Sequence, residues 1–237
     1  MADAAQDMRA ALAAAADPHK AETLARYFQV RPGGYGEGDR FLGVQLGTIR
    51  TLLRPHRGTP FVAEHWLPLL RSPWHEERLT ALVAMGGRAE RGDEAEHQRI
   101  YQTYLAHTDR INNWDLVDVS AAPIVGGWLL TRDRTPLDVL AASPQLWERR
   151  IAVVATHRLI RAGQTGDTYR LALALRADRH DLIHKAVGWM LREAGRRHPA
   201  ELRGFLDRYA AELPRTTLRY AIEHLPPGVR AHYRGLR

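Results

Sequence analysis

The stretch LWERRIAVVATHRLIRAGQTGDTYRLALALRADRHDLIHKAVGWMLREAG, residues 146–195, decides the fold class. Its apolar residues recur every three to four positions, which is the periodicity of helices that bury one face. The pattern predicts helices over residues 146–162, 165–177 and 181–196. The first and third carry a basic residue, Arg150 and Lys185, 35 residues apart. A period of roughly 35 to 40 residues built from two helices is typical of α-solenoids of the HEAT type.

The same repeat extends towards both ends of the chain. EERLTAL around Arg78 and TLRYAIE around Arg219 again place a basic residue before an apolar one, 72 residues before Arg150 and 34 after Lys185. The longer interval hides one further unit, INNWDLVDVS. We therefore predict an all-α fold, an α-solenoid of HEAT-like helical-hairpin repeats that forms a single domain over residues 1–237. Equivalent residues of such repeats line one concave wall, so a concave basic face is expected from Arg78, Arg150, Lys185 and Arg219.

Helical periodicity covers the rest of the chain, and no alternating strand of four or more residues bounded by hairpin turns interrupts it. Short connections rich in Pro, Ser or Asp join the helices, as in antiparallel helix hairpins. The one long break, RPGGYGEGDR at residues 31–40, contains four glycines and is predicted to be a flexible or tightly turned loop. The remaining helices are predicted over residues 3–15, 20–28, 46–53, 60–70, 74–86, 94–106, 113–130, 199–210, 216–224 and 228–233.

The composition excludes several classes of protein. Of 237 residues, 45% are apolar and 26% charged, as in an ordinary globular protein. The absence of cysteine excludes a disulfide scaffold, a thiolate zinc finger, an iron–sulfur protein and a cysteine nucleophile. No apolar run approaches the roughly 18 residues of a membrane span. Asp3 and Asp7 precede an alanine stretch, unlike the basic start of a secretory signal. We expect a cytoplasmic protein, nucleoid-associated if bacterial, with no membrane partner.

The positive charge of the chain favours a polyanionic partner. Lys and Arg number 34 against 27 Asp and Glu, which gives a net charge of +7 and a pI near 10.1. Only Lys20 and Lys185 are lysines, so arginine carries nearly all of this charge. The planar arginine fork suits bidentate contact with phosphate. Codon bias towards Arg and Ala would give the same composition and would still leave the charge available to phosphate.

The segment INNWDLVD interrupts the basic repeat with acidic and aromatic side chains. Asn112 or Asn113 is a suitable helix N-cap, and Asp115 then falls in the first turn, where a carboxylate interacts favourably with the helix dipole. We therefore interpret Asp115 as structural. Trp114 and Asp118 are four residues apart and share a helix face. Because an acid repels DNA phosphate, Asp118 either pairs with a neighbouring arginine or takes part in chemistry.

Six blocks of the chain resemble, in order, the DNA alkylation-repair glycosylases of the HEAT-like-repeat type, the AlkD family. The resemblance runs from about residue 27 to about residue 233, and several blocks are long and rich in rare residue types. It implies a DNA glycosylase of base excision repair. The blocks are FLGV (41–44), HEERL (75–79), INNWDLVD (111–118), LWERRIA (146–152), HDLIHKAVGWMLREAG (180–195) and PRTTLRYAIE (214–223).

The resemblance also implies roles for individual residues. The second Asp of WDLVD, Asp118, would be the catalytic carboxylate, with the Trp114 indole beside it. At the end of the W-x-x-R step, Arg150 would bind a DNA phosphate. The KAVGW block would supply a second indole, Trp189, near the lesion.

The family also places an N-terminal aromatic residue near the lesion. The glycine-rich segment before FLGV aligns poorly, so Tyr35 and Tyr27 compete for this role, with Tyr35 the first choice. The stacked register of the repeats adds further phosphate-binding residues to Arg150, which would give affinity for DNA without sequence specificity. These residues are Lys185, Arg219 and Arg78.

Elementary chemistry agrees with these roles. Alkylation at N3 or N7 makes a purine cationic, so the base leaves without being protonated and no general acid is required. Asp118 can stabilise the positive charge that develops on the sugar and hold the attacking water, while the indoles offer π-faces to a cation. No lysine stands in a setting suited to a Schiff base. We expect a monofunctional, monomeric enzyme with no cofactor and no metal that releases 3-methyladenine and 7-methylguanine from double-stranded DNA.

Two other functions compete with this one. His180 and His184 imitate the spacing of the two histidines in HExxH zinc enzymes, but the acid between them is Asp and no obvious third ligand follows. The second alternative is a non-catalytic HEAT-like scaffold that binds DNA or protein, since solenoids commonly serve as scaffolds.

Overall fold

The computed structural model describes residues 4–236, and helices are the regular elements throughout that range. Contacts divide the chain into two compact units, Met1–Ile124 and Val125–Arg237, called here the N-terminal unit and the C-terminal unit. The all-α prediction is confirmed: apart from one isolated bridge between Arg40 and Trp74, residues 4–236 contain no β-structure. The single domain over 1–237 and the concave basic face stay predictions. The start of the first predicted helix, Asp3, lies outside the described residues.

The N-terminal unit pairs short helices with one long buried helix. Helix α5 contributes His75, Leu79 and Leu82 to the interior, and α4 and α7 both pack against it. Single-turn 3-10 helices lie at Arg54–His56 and Thr108–Arg110. The helices of this unit are α1 (Ala4–Ala14), α2 (Pro18–Tyr27), α3 (Leu46–Leu52), α4 (Ala63–Leu70), α5 (His75–Arg91), α6 (Glu94–Leu105) and α7 (Trp114–Ala121).

The C-terminal unit has the repeated arrangement that the sequence predicts. Helix α10 packs on α9 and α12, and α12 packs on α14, so the second helices of successive hairpins stack on one another. The helices of this unit are α8 (Gly127–Leu129), α9 (Thr135–Ala141), α10 (Leu146–Arg161), α11 (Gly166–Ala174), α12 (Asp181–Arg197), α13 (Pro199–Tyr209), α14 (Arg215–Ala221) and α15 (Pro227–Gly235).

Helix α5 ends at Arg91, five residues beyond the predicted end at residue 86, and two further parts of the helix prediction differ from the structure. The helix predicted over 113–130 is broken, because a π-helical turn at Ala122–Gly126 follows α7. A Cβ on Gly126 would lie 2.1 Å from the Ala155 carbonyl oxygen, so the glycine permits close packing there. Helix α9 was missing from the prediction, although its buried residues, Leu137, Leu140 and Ala141, have helical spacing.

The glycine-rich segment 31–40 is a series of turns, as predicted. Gly33 and Gly38 have φ of +74° and +84°, in the left-handed region that favours glycine. A Cβ on Gly36 would lie 2.2 Å from the Phe28 carbonyl oxygen, so the loop packs closely on the end of α2. This packing brings Tyr35 and Asp39 towards the candidate site. In residues 4–236, no helix is both long enough and apolar enough to cross a membrane.

Candidate functional site

The start of α7 is fixed by its own side chains. Asn113 is fully buried and is the N-cap, and its side-chain oxygen accepts a hydrogen bond from the Trp114 amide at 2.8 Å. Asp115 Oδ1 accepts from the Leu116 amide at 2.8 Å. A carboxylate in the first turn also interacts favourably with the helix dipole. The prediction that Asn112 or Asn113 caps this helix is confirmed for Asn113.

Trp114 and Asp118 lie one turn apart on α7 and are both half-buried. Beneath this helix the Tyr104 hydroxyl and Ser120 Oγ form a buried hydrogen bond of 3.0 Å. Burial raises the pKa of Tyr104, the bond to Ser120 opposes this, and the negative charge of Asp118 raises it further. The negative charge of Asp118 thus disfavours the ionised form of Tyr104, which stays a neutral hydroxyl.

Aromatic rings form a column against Trp114. The Phe28 ring stacks on Trp114 at 5.2 Å between centroids and on Phe41 at 5.1 Å. The Tyr27 ring meets Trp114 edge-on at 6.0 Å and is 62% exposed. Phe28 and Phe41 are buried, so they hold the indole from below and leave Tyr27 facing solvent.

The two competing tyrosines lie at the same place. The Tyr35 hydroxyl donates a hydrogen bond of 3.1 Å to the Tyr27 carbonyl oxygen. Tyr35 is half-buried, whereas the Tyr27 ring is exposed and packs on Trp114. The Tyr27 ring thus packs edge-on against the indole, and the Tyr35 hydroxyl supports the Tyr27 backbone.

A buried polar cluster, which we call the His75 bridge, joins Asp39, His75 and Asp115. His75 Nδ1 lies 2.9 Å from Asp39 Oδ2, and His75 Nε2 lies 2.8 Å from Asp115 Oδ2. Burial lowers the pKa of His75, but the hydrogen bonds and charges of Asp115 and Asp39 outweigh it and raise the pKa to about 9. Both ring nitrogens therefore donate, and the imidazole is a cation at neutral pH.

Arg78 belongs to the same cluster. It is 3% exposed, forms an ion pair with Asp39, and donates a hydrogen bond of 3.0 Å to the Ser72 carbonyl oxygen. Burial raises the pKa of Asp39, and the hydrogen bond to His75 and the charge of Arg78 reverse this, so its pKa is lowered. The guanidinium predicted to bind DNA lies in the interior of the N-terminal unit, and a phosphate-binding role for Arg78 stays a prediction.

Glu76 joins the HEERL block to the FLGV block in the folded chain. The carboxylate is 1% exposed and accepts hydrogen bonds from the backbone amides of Leu42 and Gly43 at 2.8 Å and of Val44 at 3.2 Å. Gly43 has φ of +84°, and a Cβ there would lie 2.1 Å from the Asp17 carbonyl oxygen. The start of α5 thus binds segment 39–44 through its own side chains.

The sequence analysis missed Asp39, His75 and Glu76. The signal was present in HEERL, because four polar residues in succession at a helix start leave at least one on the buried face. In the structure residues 75–78 are all buried. The sequence could not show which residues would pair, because Asp39 and Asp115 are 36 and 40 residues away from His75.

The predicted phosphate-binding residues of the C-terminal unit share one register. Each is the fifth residue of its helix, and Asp118 is the fifth residue of α7. The register inferred from spacing is thus found in the helices, with an acid at the α7 position. The three basic residues are Arg150 in α10, Lys185 in α12 and Arg219 in α14.

These residues differ in exposure. Arg150 is 5% exposed and donates a hydrogen bond of 2.6 Å to the Leu182 carbonyl oxygen. The Lys185 side chain is 40% exposed and pairs with Asp181 at 2.8 Å. Arg219 is exposed. Their contacts with DNA phosphate stay predictions.

Trp189 and the two histidines of the zinc alternative also lie on or beside α12. Trp189 is half-buried, with its ring 5.8 Å from that of His157. His180 Nδ1 accepts from the Leu182 amide at 3.2 Å, and His184 Nε2 lies 2.6 Å from the Asp178 carbonyl oxygen. Both imidazoles thus form hydrogen bonds with nearby backbone atoms. Within residues 4–236, no group of three or more His, Asp or Glu side chains is placed to hold a metal ion.

Comparison with known proteins shows the family of this chain. A solved structure of a predicted DNA alkylation repair enzyme from Enterococcus faecalis superposes with a TM-score of 0.68 at 16% identity, covering 90% of this chain and 97% of the other. At that identity the likeness concerns the fold alone. The comparison with curated proteins finds no match. The sequence model of the DNA alkylation repair enzymes matches residues 8–225. The chain therefore belongs to the DNA alkylation repair enzyme family.

Proposed function

We propose that this protein is a monofunctional DNA glycosylase that hydrolyses the N-glycosidic bond of cationic N3- and N7-alkylated purines in double-stranded DNA. One observation carries the proposal. In a member of the DNA alkylation repair family, the half-exposed pair of Trp114 and Asp118 occupies one face of α7, and buried aromatic rings support the indole. A carboxylate beside a π-face is suited to a reaction in which positive charge develops.

Asp118 is the proposed catalytic residue. A purine alkylated at N3 or N7 already carries a positive charge, so the glycosidic bond breaks without a proton being added to the base. As the bond breaks, positive charge develops on the sugar, and the Asp118 carboxylate stabilises it. The same carboxylate holds the water that attacks the sugar carbon, which yields free base and an abasic site.

Aromatic residues are proposed to hold the lesion and the sugar. Trp114 cannot tilt freely, because Phe28 stacks against it at 5.2 Å. The exposed Tyr27 ring, 6.0 Å from the indole, extends this surface, and Tyr35 supports it through its hydrogen bond to the Tyr27 backbone. Trp189 is proposed as a second indole. A cationic base binds such π-faces better than a neutral base does.

Basic residues of the second helices are proposed to bind the phosphates of the duplex. Arg150, Lys185 and Arg219 recur at the fifth position of their helices, and contacts with phosphate give affinity that is independent of sequence. Arg78 ranks last in this set, because its guanidinium is committed to Asp39.

The two lysines support a monofunctional reaction. Lys185 pairs with Asp181, whose hydrogen bond raises the lysine pKa, and Lys20 pairs with Asp17 at 2.9 Å. A Schiff base requires a neutral amine, and a raised pKa disfavours that form. We therefore expect no cleavage of the DNA strand after the base has left.

The test is release of free base by the purified protein from duplexes that carry one defined lesion. We expect release of 7-methylguanine and 3-methyladenine, equal rates with and without a chelator, and no release of hypoxanthine, uracil or ethenoadenine. Efficient release of hypoxanthine would contradict the mechanism, because a neutral base requires a general acid. Binding of the duplex without release of any base would instead support the non-catalytic scaffold.

A further inference from the structure

The His75 bridge connects three segments that are distant in sequence. Asp39 is the second-last residue of the glycine-rich segment 31–40, His75 begins α5, and Asp115 is in the first turn of α7. The side chains are 3%, 2% and 17% exposed, respectively. Asp115 directly follows Trp114 in the chain, so the bridge is attached to the same helical turn as the indole. A displacement of His75 would therefore be felt directly at the start of α7.

A second route leads from His75 to the same place through aromatic rings. Phe41 stacks on the His75 imidazole at 4.6 Å, Phe28 stacks on Phe41 at 5.1 Å, and Trp114 stacks on Phe28 at 5.2 Å. The Asn113 amide adds a weak contact of 3.4 Å to Asp39 Oδ2. Trp114 is thus supported at its backbone through Asp115 and at its ring through the aromatic column, and both supports meet at His75.

Stability alone does not account for this arrangement. Removing charged groups from water is expensive, and replacing a buried ion pair with apolar residues of similar volume is often neutral or stabilising. Directed hydrogen bonds do provide a fixed geometry, which apolar contacts provide less well. A catalytic carboxylate needs such a geometry, because a misplacement of about 1 Å can cost on the order of 100-fold in rate.

We infer that the His75 bridge is a positioning device, in which His75 holds the first turn of α7 so that Trp114 and Asp118 meet the lesion in the reactive geometry. His75 itself touches neither DNA nor the reacting atoms. The inference rests on the proposed glycosylase function. The groups that face His75 are the carboxylates of Asp39 and Asp115 and the rings of Phe28 and Phe41, and Arg78 of its own helix faces Asp39.

The test compares His75→Gln with a matched control, Glu96→Gln. Glu96 is also in the N-terminal unit, is 4% exposed, and accepts a hydrogen bond of 3.0 Å from Arg88 and one from the Phe61 amide. Both partners lie outside α7. Each variant thus breaks a buried polar cluster of one unit, but only His75→Gln breaks the cluster that supports Trp114 and Asp118.

The first readout is single-turnover release of 7-methylguanine at saturating enzyme, normalised to folded protein. His75→Gln is expected to lower the rate constant about 10- to 100-fold while the Kd for undamaged duplex changes less than about twofold. Glu96→Gln should leave both quantities unchanged. In the wild type the rate constant should also fall as pH rises through about 9, where His75 loses its charge, and His75→Gln should lack this decline.

The second readout does not depend on activity. Hydrogen exchange at the amides of residues 114–118 should be faster in His75→Gln and unchanged in Glu96→Gln. If the wild type released no base, the proposed function would fail while this exchange still tested the bridge. Asp115→Asn keeps the imidazole in place and should give a smaller loss of rate. This variant replaces His75→Gln in both measurements if His75→Gln does not fold. Wild-type rate constants and wild-type exchange in the His75 variants would overturn the inference.

Discussion

In the four helices α7, α10, α12 and α14 the fifth residue is charged, and the sign of that charge differs between the two units. In α7 of the N-terminal unit this residue is Asp118, whereas in α10, α12 and α14 of the C-terminal unit it is Arg150, Lys185 and Arg219. The helix starts differ in the same way. At α7 the first turn is tied to a buried His75 bridge and an aromatic column, while the first turn of α12 carries Asp181 and Lys185 paired near the surface.

This contrast teaches that the repeat places one residue of each helix in an equivalent register, and that the packing around each helix determines which contacts this residue makes. Three helices keep the basic residue that suits a polyanion. One helix has an acid there instead, and buried charges and the buried rings of Phe28 and Phe41 support the start of that helix. Such a departure from a regular pattern is expected where function outweighs uniformity.

Asp118→Asn is expected to lower single-turnover excision by at least about 100-fold, because it removes the charge that stabilises the developing cation. Binding to undamaged duplex should be intact or slightly tighter, since a negative charge has left a surface proposed to face phosphate. Asp115→Asn is the control and should do much less. If Asp118→Asn only lowered the thermal stability and kept its activity per folded molecule, Asp118 would be a structural residue.

Arg150→Ala is expected to weaken binding to any duplex and to reduce the slope of log K against log salt by about one unit, as for the loss of one phosphate contact. The neighbouring Arg149→Ala is the control, because Arg149 is committed to Asp178 at 2.7 Å and to the Ser143 carbonyl at 3.0 Å. Titrations at several salt concentrations measure both variants. An unchanged slope for Arg150→Ala would remove Arg150 from the DNA-binding set.

Lys185→Ala and Arg219→Ala should change the salt slope in the same direction by about one unit or less. The effect is smaller for Lys185, because Asp181 already neutralises part of its charge. Arg208→Ala, an exposed arginine of α13, should leave the slope unchanged. If Arg208→Ala altered the slope as much as the two variants, the shared register of the second helices would have no part in DNA binding.

The smallest expected effect compares the histidines that begin α5 and α12. The raised pKa of His75 means that its contribution to stability is present below pH 6.5 and is lost as pH rises through about 9. Burial lowers the pKa of His180, so its neutral form is favoured and stability is lost as pH falls below 6.5. Melting curves of His75→Gln and His180→Gln against pH should show opposite trends relative to the wild type, with a shift of about 2–4 °C for each kcal/mol of stability lost. Parallel trends would contradict the assigned environments.

Much of this architecture could be predicted because helical periodicity is local. The bounds predicted for the long helix at 146–162 differ from α10 by one residue, and Asn113 was correctly among the two expected N-caps. The π-helical turn at Ala122–Gly126 could not be predicted, since it has no periodic signature of its own. Arg78 shows the limit of the repeat argument: its spacing matches that of Arg150, but its side chain is buried against Asp39.

The sequence by itself determined the all-α fold, the register of charged residues in the second helices, and the family, because each of these depends on the order and spacing of residue types. Tertiary structure decided which charges are partners. Asp39, His75 and Asp115 are separated by 36 and 40 residues, and only packing brings them within hydrogen-bond distance and shields them from water. Burial alone would lower the pKa of His75, but it also strengthens the interaction of the imidazole with the two carboxylates, and these keep the histidine a buried cation. No spacing of residues along the chain encodes this property.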